Sequence, residues 1–177
     1  IIGFNFKKRN ILITFHPETL KISQNENNFK QVLLALKNLI NTGLIFTSPN
    51  ADTEGQIIKK MIQKFVNQNK TNSILINSMG VEVYLSTMKY VNCVLGNSSS
   101  GIIEAPILYT PTINIGDRQS GRIRHASIID TDYSKQSILK AIKKTFSPSF
   151  NKQLPKMRYK FGNGQAANKI LSILKKT

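Results

Sequence analysis

Apolar residues along the 177-residue chain follow two rhythms that take turns. Short runs rich in β-branched residues, at 11–15, 44–47, 73–76, 91–95 and 112–115, read as buried strands. Between them, Phe29, Val32, Leu33, Leu36, Leu39 and Ile40 recur at three- and four-residue steps, as do Ile57, Ile58, Met61, Ile62, Phe65 and Val66. That is the spacing of one helical face. Further helices are predicted over 81–89, directly after the serines at 98–100, and over 134–146, with a short apolar segment at 127–129.

Strand and helix therefore alternate, and parallel strands need crossover connections that are usually helices. The prediction is an α/β fold with a doubly wound, Rossmann-like parallel sheet, in a chain whose length suits one domain. Ligands of such sheets bind where loops gather at the carboxyl ends of the strands. The loops to inspect are then 16–19, 48–54, 77–80, 96–101 and 116–121. Residues 147–159, with two prolines and several basic residues, read as a linker to a last helix over 165–174. Ala166, Ala167, Ile170, Leu171 and Leu174 cover one face of that helix, which in a two-domain protein has a domain boundary as one place to pack.

A formal net charge of +16 points first to an anionic partner: nucleic acid, a membrane surface or a phosphorylated ligand. Its distribution weakens the first of these. Lys59, Lys60, Lys64, Lys140, Lys143 and Lys144 fall on the polar sides of predicted helices, and no helix-turn-helix, zinc-finger or aromatic-rich RNA-binding signature accompanies them. No nucleic-acid partner is expected. No run approaches the roughly 18 apolar residues that span a bilayer, and the first residues lack a charged-then-apolar leader, so a cytoplasmic protein without membrane insertion is expected. Cys93, the only cysteine, lies in an apolar run and reads as a buried strand residue; with two histidines, His16 and His125, zinc ligation is not expected.

The serine-rich loop from Gly96 to Gly101 joins a predicted strand to a predicted helix. Small residues there let backbone amides approach an anion, and the helix dipole favours one. An ordinary serine N-cap accounts for Ser98, Ser99 and Ser100 equally well. Glu104 stands close to one turn further on, either accepting hydrogen bonds from a ligand diol or closing a capping box. Arg118 lies between Gly116 and Gly121, where a loop arginine either grips a phosphate or pairs with an acid such as Asp117. His16, beside Pro17 at the end of the first strand, is a donor or general acid on one reading and a satisfied structural residue on the other. Asn50 and Asp52 are typical turn formers. His125 and Tyr133 have no evident partner.

Taken together, Ile13-Thr14-Phe15-His16-Pro17-Glu18-Thr19, Ser48-Pro49-Asn50-Ala51-Asp52, Gly96-Asn97-Ser98-Ser99-Ser100-Gly101-Ile102-Ile103-Glu104 and Asn114-Ile115-Gly116-Asp117-Arg118-Gln119-Ser120-Gly121-Arg122 resemble the hydrolysing UDP-N-acetylglucosamine 2-epimerases of sialic-acid-type sugar biosynthesis. The resemblance covers nearly the whole chain and implies the C-terminal half of a glycosyltransferase-B-type two-domain fold, the N-terminal domain being absent here. It implies UDP or a UDP-sugar as ligand, with Ser98 and Ser99 on the diphosphate, Ser100 and Gly101 in the same loop, and Glu104 on the ribose. Met79 would lie near the uracil. Asn50, Arg118 and His16 would face the sugar cleft, with His16 the catalytic candidate. The implied reaction removes the proton at C2, eliminates UDP to leave a glycal, and adds water to release N-acetylmannosamine. It needs no metal or redox cofactor, and its proton-transfer acids belong to the N-terminal domain, so the isolated domain is expected to be inactive.

Non-hydrolysing bacterial relatives carry a Gly-Gly-Gln-Glu-Glu-like run where this chain has Ser100-Gly101-Ile102-Ile103-Glu104, which argues against that branch. Related hydrolysing enzymes act on 4-amino-substituted sugar nucleotides, and a glycosyltransferase of the same architecture also places a glutamate after a glycine-rich loop. A basic nucleic-acid-binding module is the reading outside enzymes. A homo-oligomer is compatible with the sequence, which leaves oligomeric state open.

Overall fold

The computed structural model describes residues 2–18, 22–157, 162 and 164–175. Its strands are β1 (Arg9–Thr14), β2 (Thr42–Thr47), β3 (Ser73–Ile76), β4 (Cys93–Gly96), β5 (Thr112–Ile115) and β6 (Ile128–Thr131). Helices α1 (Ile22–Leu36), α2 (Thr53–Gln68), α3 (Gly80–Tyr90) and α4 (Ser100–Ile107) follow β1 to β4 in turn, β5 runs on to β6 without a helix between them, and α5 (Lys135–Thr145) follows β6. The strands form one parallel sheet in the order β3-β2-β1-β4-β5-β6. The expected doubly wound, Rossmann-like sheet is therefore present. Its order reverses between β1 and β4, so the chains leaving these neighbours diverge and open a crevice at the carboxyl edge.

Successive strand side chains point to opposite faces, and here both faces are covered. Ile11 and Ile13 of β1 enter a large cluster with Phe29 and Val32 of α1, Phe46 of β2 and Ile58 of α2. Leu12, between them, enters a smaller cluster with Ile45, Val94, Met88 of α3 and Ala105 of α4. Burial on both sides explains why the strands read as continuous apolar runs.

Three stretches differ from expectation. The helical face expected through Ile40 stops at Leu36: the Leu39 N–H returns to Leu36 O at 3.2 Å and Asn41 takes φ +50°. Leu39 still packs on the core, whereas Ile40 is exposed. The apolar segment at 127–129 belongs to a sixth strand, which pairs with β5. Residues 147–157 are more structured than a linker: α6 (Pro148–Asn151), capped by the Ser147 hydroxyl, and a 3-10 turn (Leu154–Lys156) bury Phe150 and Leu154. Both prolines begin these helices, where a missing N–H costs nothing. Tyr159, the end of the expected linker, lies outside the described residues. The last helix, α7 (Ala166–Leu174), buries no residue, and Ile170, Leu171, Ile173 and Leu174 are each more than half exposed.

Candidate functional site

Gly96 ends β4 at φ +142°, and a Cβ there would run into the Thr14 carbonyl of neighbouring β1. A side chain is thus excluded where the ends of the two strands that flank the crevice lie side by side. Asn97 follows, fully buried. Its Oδ1 accepts from the His16 N–H at 2.8 Å and its Nδ2 donates to the His16 carbonyl at 2.7 Å. The Asn97 carbonyl accepts from Arg118 Nη1 at 3.0 Å and Gln119 Nε2 at 2.8 Å. One side chain and one carbonyl therefore join the loops after β1, β4 and β5.

Ser98, Ser99 and Ser100 are half-buried at the start of α4. The N-cap, Ser99, makes no side-chain cap bond, so the simple capping explanation fails for it. Ser98 Oγ instead accepts from Ser100 Oγ at 3.1 Å and from the Ser100 N–H at 3.4 Å. Within α4, Glu104 is half-buried, and its Oε2 is buried without a hydrogen bond among the described residues. Buried carboxylate oxygens are ordinarily paired, because leaving one desolvated and unpaired is costly. Glu104 is thus an acceptor suited to hydroxyl donors from a ligand.

Gly116 turns the chain after β5 at φ +70°, with the Tyr133 ring packed where a Cβ would lie. The Tyr133 hydroxyl donates to Glu18 Oε1, tying this loop to the segment after His16. Burial first, and then Glu18, push the Tyr133 phenol above its ordinary value. Glu18 itself is held by Asn25 of α1, which accepts from the Glu18 N–H at 2.9 Å and donates to its carbonyl at 3.1 Å. Arg118, carried by this framework, is exposed at the crevice and keeps Nη2 and Nε beyond its bond to Asn97.

His16 is half-buried, and its Nδ1 makes no hydrogen bond among the described residues. Burial is the main cause that holds its pKa below 6.5, the Arg118 guanidinium adds to this, and Asp52 opposes it. His16 is therefore neutral at pH 7, with one ring nitrogen able to donate and the other to accept. Asp52 has a structural task, accepting from the Gly55 N–H at 2.7 Å as the N-cap of α2. Asn50 is exposed in the turn before it. Met79 packs on the smaller core cluster and, with Thr47, Ile76, Asn77, Ser78 and Tyr84, lines a 290 Å³ cleft beside the crevice.

The structure thus gathers His16, Ser98 to Gly101 and Arg118 around Asn97, places Glu104 one turn into the same helix, and sets Met79 in an adjoining cleft. Asn97, Gln119, Tyr84 and the Glu18–Tyr133 pair were not singled out from the sequence. Asn97 carried one usable signal, a polar residue directly behind a fully apolar strand.

The sequence profile that describes UDP-N-acetylglucosamine 2-epimerases matches residues 3–175. Over 121 residues the chain is 45% identical to the GDP/UDP-N,N'-diacetylbacillosamine 2-epimerase (hydrolyzing) of Campylobacter jejuni, covering 68% of this chain and 32% of that protein. Over 136 residues it is 41% identical to polysialic acid biosynthesis protein P7 of Escherichia coli, covering 76% and 34%. The S. aureus MnaA-UDP co-structure superposes with a TM-score of 0.73 at 18% identity, over 96% of this chain and 45% of that one. The Methanocaldococcus jannaschii UDP-GlcNAc 2-epimerase in complex with UDP-GlcNAc and UDP superposes at 0.69 with 20% identity, over 96% and 46%. At such identities the structural likeness establishes a shared fold. The chain spans between about a third and just under half the length of these proteins.

Proposed function

The chain belongs to the UDP-N-acetylglucosamine 2-epimerase family, and on that premise we propose that it forms the UDP-binding half of a two-domain, glycosyltransferase-B-type hydrolysing 2-epimerase. The full enzyme would convert UDP-N-acetylglucosamine and water to N-acetylmannosamine and UDP. The observation that carries the reading is the Oε2 of Glu104, buried and without a hydrogen bond among the described residues, one turn beyond Ser98–Ser100. A carboxylate accepts both hydroxyls of a ribose, while the amides opening α4 and the serine hydroxyls suit a diphosphate.

In this reading the uracil enters the Met79 cleft, Ser98, Ser99, Ser100 and Gly101 hold the diphosphate, and Arg118 reaches the same phosphates with its remaining donors. The diphosphate is also the leaving group when C2 loses its proton and the C1–O bond breaks. Donors around it therefore stabilise charge that develops during elimination. Neutral His16, beside the same loop, donates a hydrogen bond from its ring N–H to the departing oxygen and so steadies the charge gathering there. Asn50 faces the sugar side. The acids that act at C2 belong to an N-terminal domain, and the exposed apolar side of α7 suits packing against that domain.

The C. jejuni relative favours a second substrate, a 4-acetamido-substituted sugar nucleotide of the diacetylbacillosamine type. Product analysis of the full-length enzyme with both nucleotide sugars separates the two, and transfer of a sugar to an acceptor would instead mark a glycosyltransferase. For the chain itself, calorimetry is expected to detect UDP binding; no heat at millimolar UDP rejects the assignment.

A further inference from the structure

Behind the serine loop runs a file of hydroxyls that reaches it from three other elements. Thr47 Oγ1, at the end of β2, donates to Thr14 Oγ1, at the end of β1, at 3.0 Å. Thr14 Oγ1 lies 3.2 Å from the Tyr84 hydroxyl of α3, which lies 2.7 Å from Ser100 Oγ. Ser100 Oγ then donates to Ser98 Oγ at 3.1 Å.

Each hydroxyl has a single hydrogen, so the direction of one bond sets that of the others. Ser100 gives its hydrogen to Ser98, so across the short contact Tyr84 must donate to Ser100. Tyr84, having donated, must accept from Thr14, and Thr14 in turn accepts from Thr47. At the far end, Ser98 Oγ already accepts from both the hydroxyl and the N–H of Ser100. The hydrogen of Ser98 is left to be offered outward. Because hydrogen bonds in series polarise one another, a donor at the end of such a file is stronger than an isolated serine.

We propose that Tyr84 is a positioning residue for phosphate: its hydroxyl orients and polarises the Ser100–Ser98 pair so that Ser98 donates to a nucleotide's diphosphate, which Tyr84 itself never touches. This rests on the nucleotide reading above. Thr47 also has the Ile13 carbonyl at 3.4 Å as an alternative acceptor. Without an anion the file can reverse and end there, so an anionic ligand selects the outward sense. The Tyr84 ring is a separate matter, since it walls the Met79 cleft and survives in Tyr84→Phe.

The test compares UDP with uridine on the wild-type protein, Tyr84→Phe and the near-isosteric Thr14→Val, by calorimetry for UDP and ligand-detected NMR titration for uridine. Tyr84→Phe is expected to weaken UDP roughly three- to tenfold, the range of one neutral hydrogen bond, and to leave uridine unchanged. Thr14→Val is expected to weaken UDP in the same sense by a smaller factor, since it cuts the file one member further back. Equal losses for UDP and uridine would make Tyr84 a wall of the base cleft and overturn the proposal, as would unchanged UDP affinity in Tyr84→Phe. A wild-type protein that binds uridine no worse than UDP overturns it too, and one that binds neither removes the nucleotide reading beneath it.

Discussion

Asn97 holds His16 by its main chain, accepting from its N–H at 2.8 Å and donating to its carbonyl at 2.7 Å. The imidazole is left without a bond to Asn97, so the asparagine fixes where the ring sits and not how it titrates. The same residue's carbonyl gathers Arg118 and Gln119. Removing the carboxamide strands a donor and an acceptor of the His16 backbone in a partly buried place. Asn97→Ala is expected to cost about 2–4 kcal/mol of unfolding free energy, from two unmade bonds at about 1–3 kcal/mol each with partial recovery by water. Urea unfolding measures it, and a loss below about 0.5 kcal/mol would mean that the clamp is dispensable.

Glu104 presents the opposite economy, a group that costs stability unless a ligand pairs it. Glu104→Ala is expected to weaken UDP roughly ten- to a hundredfold, the range for hydrogen bonds to a charged group. It should also abolish the wild-type preference for UDP over 2'-deoxy-UDP. The unliganded protein should be no less stable for the change, because an unpaired buried oxygen is removed with it. A variant that keeps its preference for the ribose 2'-hydroxyl would place the sugar elsewhere.

His16 links the site to pH. Its folded-state pKa is lowered chiefly by burial, then by Arg118, so the unfolded chain takes up a proton more readily than the folded one. The stability this supplies is complete above the unfolded value, about 6.5, and is lost as pH falls through the lower folded value. Wild-type stability should therefore drop more steeply than that of His16→Gln on going from pH 7 to pH 5. Parallel curves in a denaturant series across that range would show that the histidine's burial has no thermodynamic weight.

Much of the fold was legible because both faces of the sheet are covered, which leaves β1 and β4 as plain apolar runs. The outermost β6 read only as a short segment, since Ile128 and Ile129 are half-buried and Asp130 is exposed. In the site, Ser98, Glu104, Arg118 and His16 stood out through local chemistry, each in a short motif behind a strand. Their connections did not. Asn97 meets His16 across 81 positions and Tyr133 meets Glu18 across 115, and no local periodicity encodes such pairings. The Asn97 carboxamide and the Tyr84 hydroxyl gain meaning only when the parallel crossovers bring four loops to one edge.

Two glycines at the same edge separate steric need from backbone preference. Gly96 and Gly121 both have positive φ, at +142° and +78°, but a Cβ at Gly96 would strike the Thr14 carbonyl, whereas at Gly121 nothing lies within 4 Å. Gly121→Ala should therefore cost only backbone strain, about 1–2 kcal/mol. Gly96→Ala adds an overlap with main chain that no side-chain rotation relieves, and relief would have to come from parting β1 and β4. The expected loss is roughly 3–5 kcal/mol, with strain and overpacking adding. Because Asn97 follows directly, any such parting also displaces its carboxamide from His16, so UDP affinity should fall in Gly96→Ala and hold in Gly121→Ala. Paired unfolding and binding curves test this, and equal behaviour of the two variants would mean that the contact between β1 and β4 does not set the geometry of the crevice.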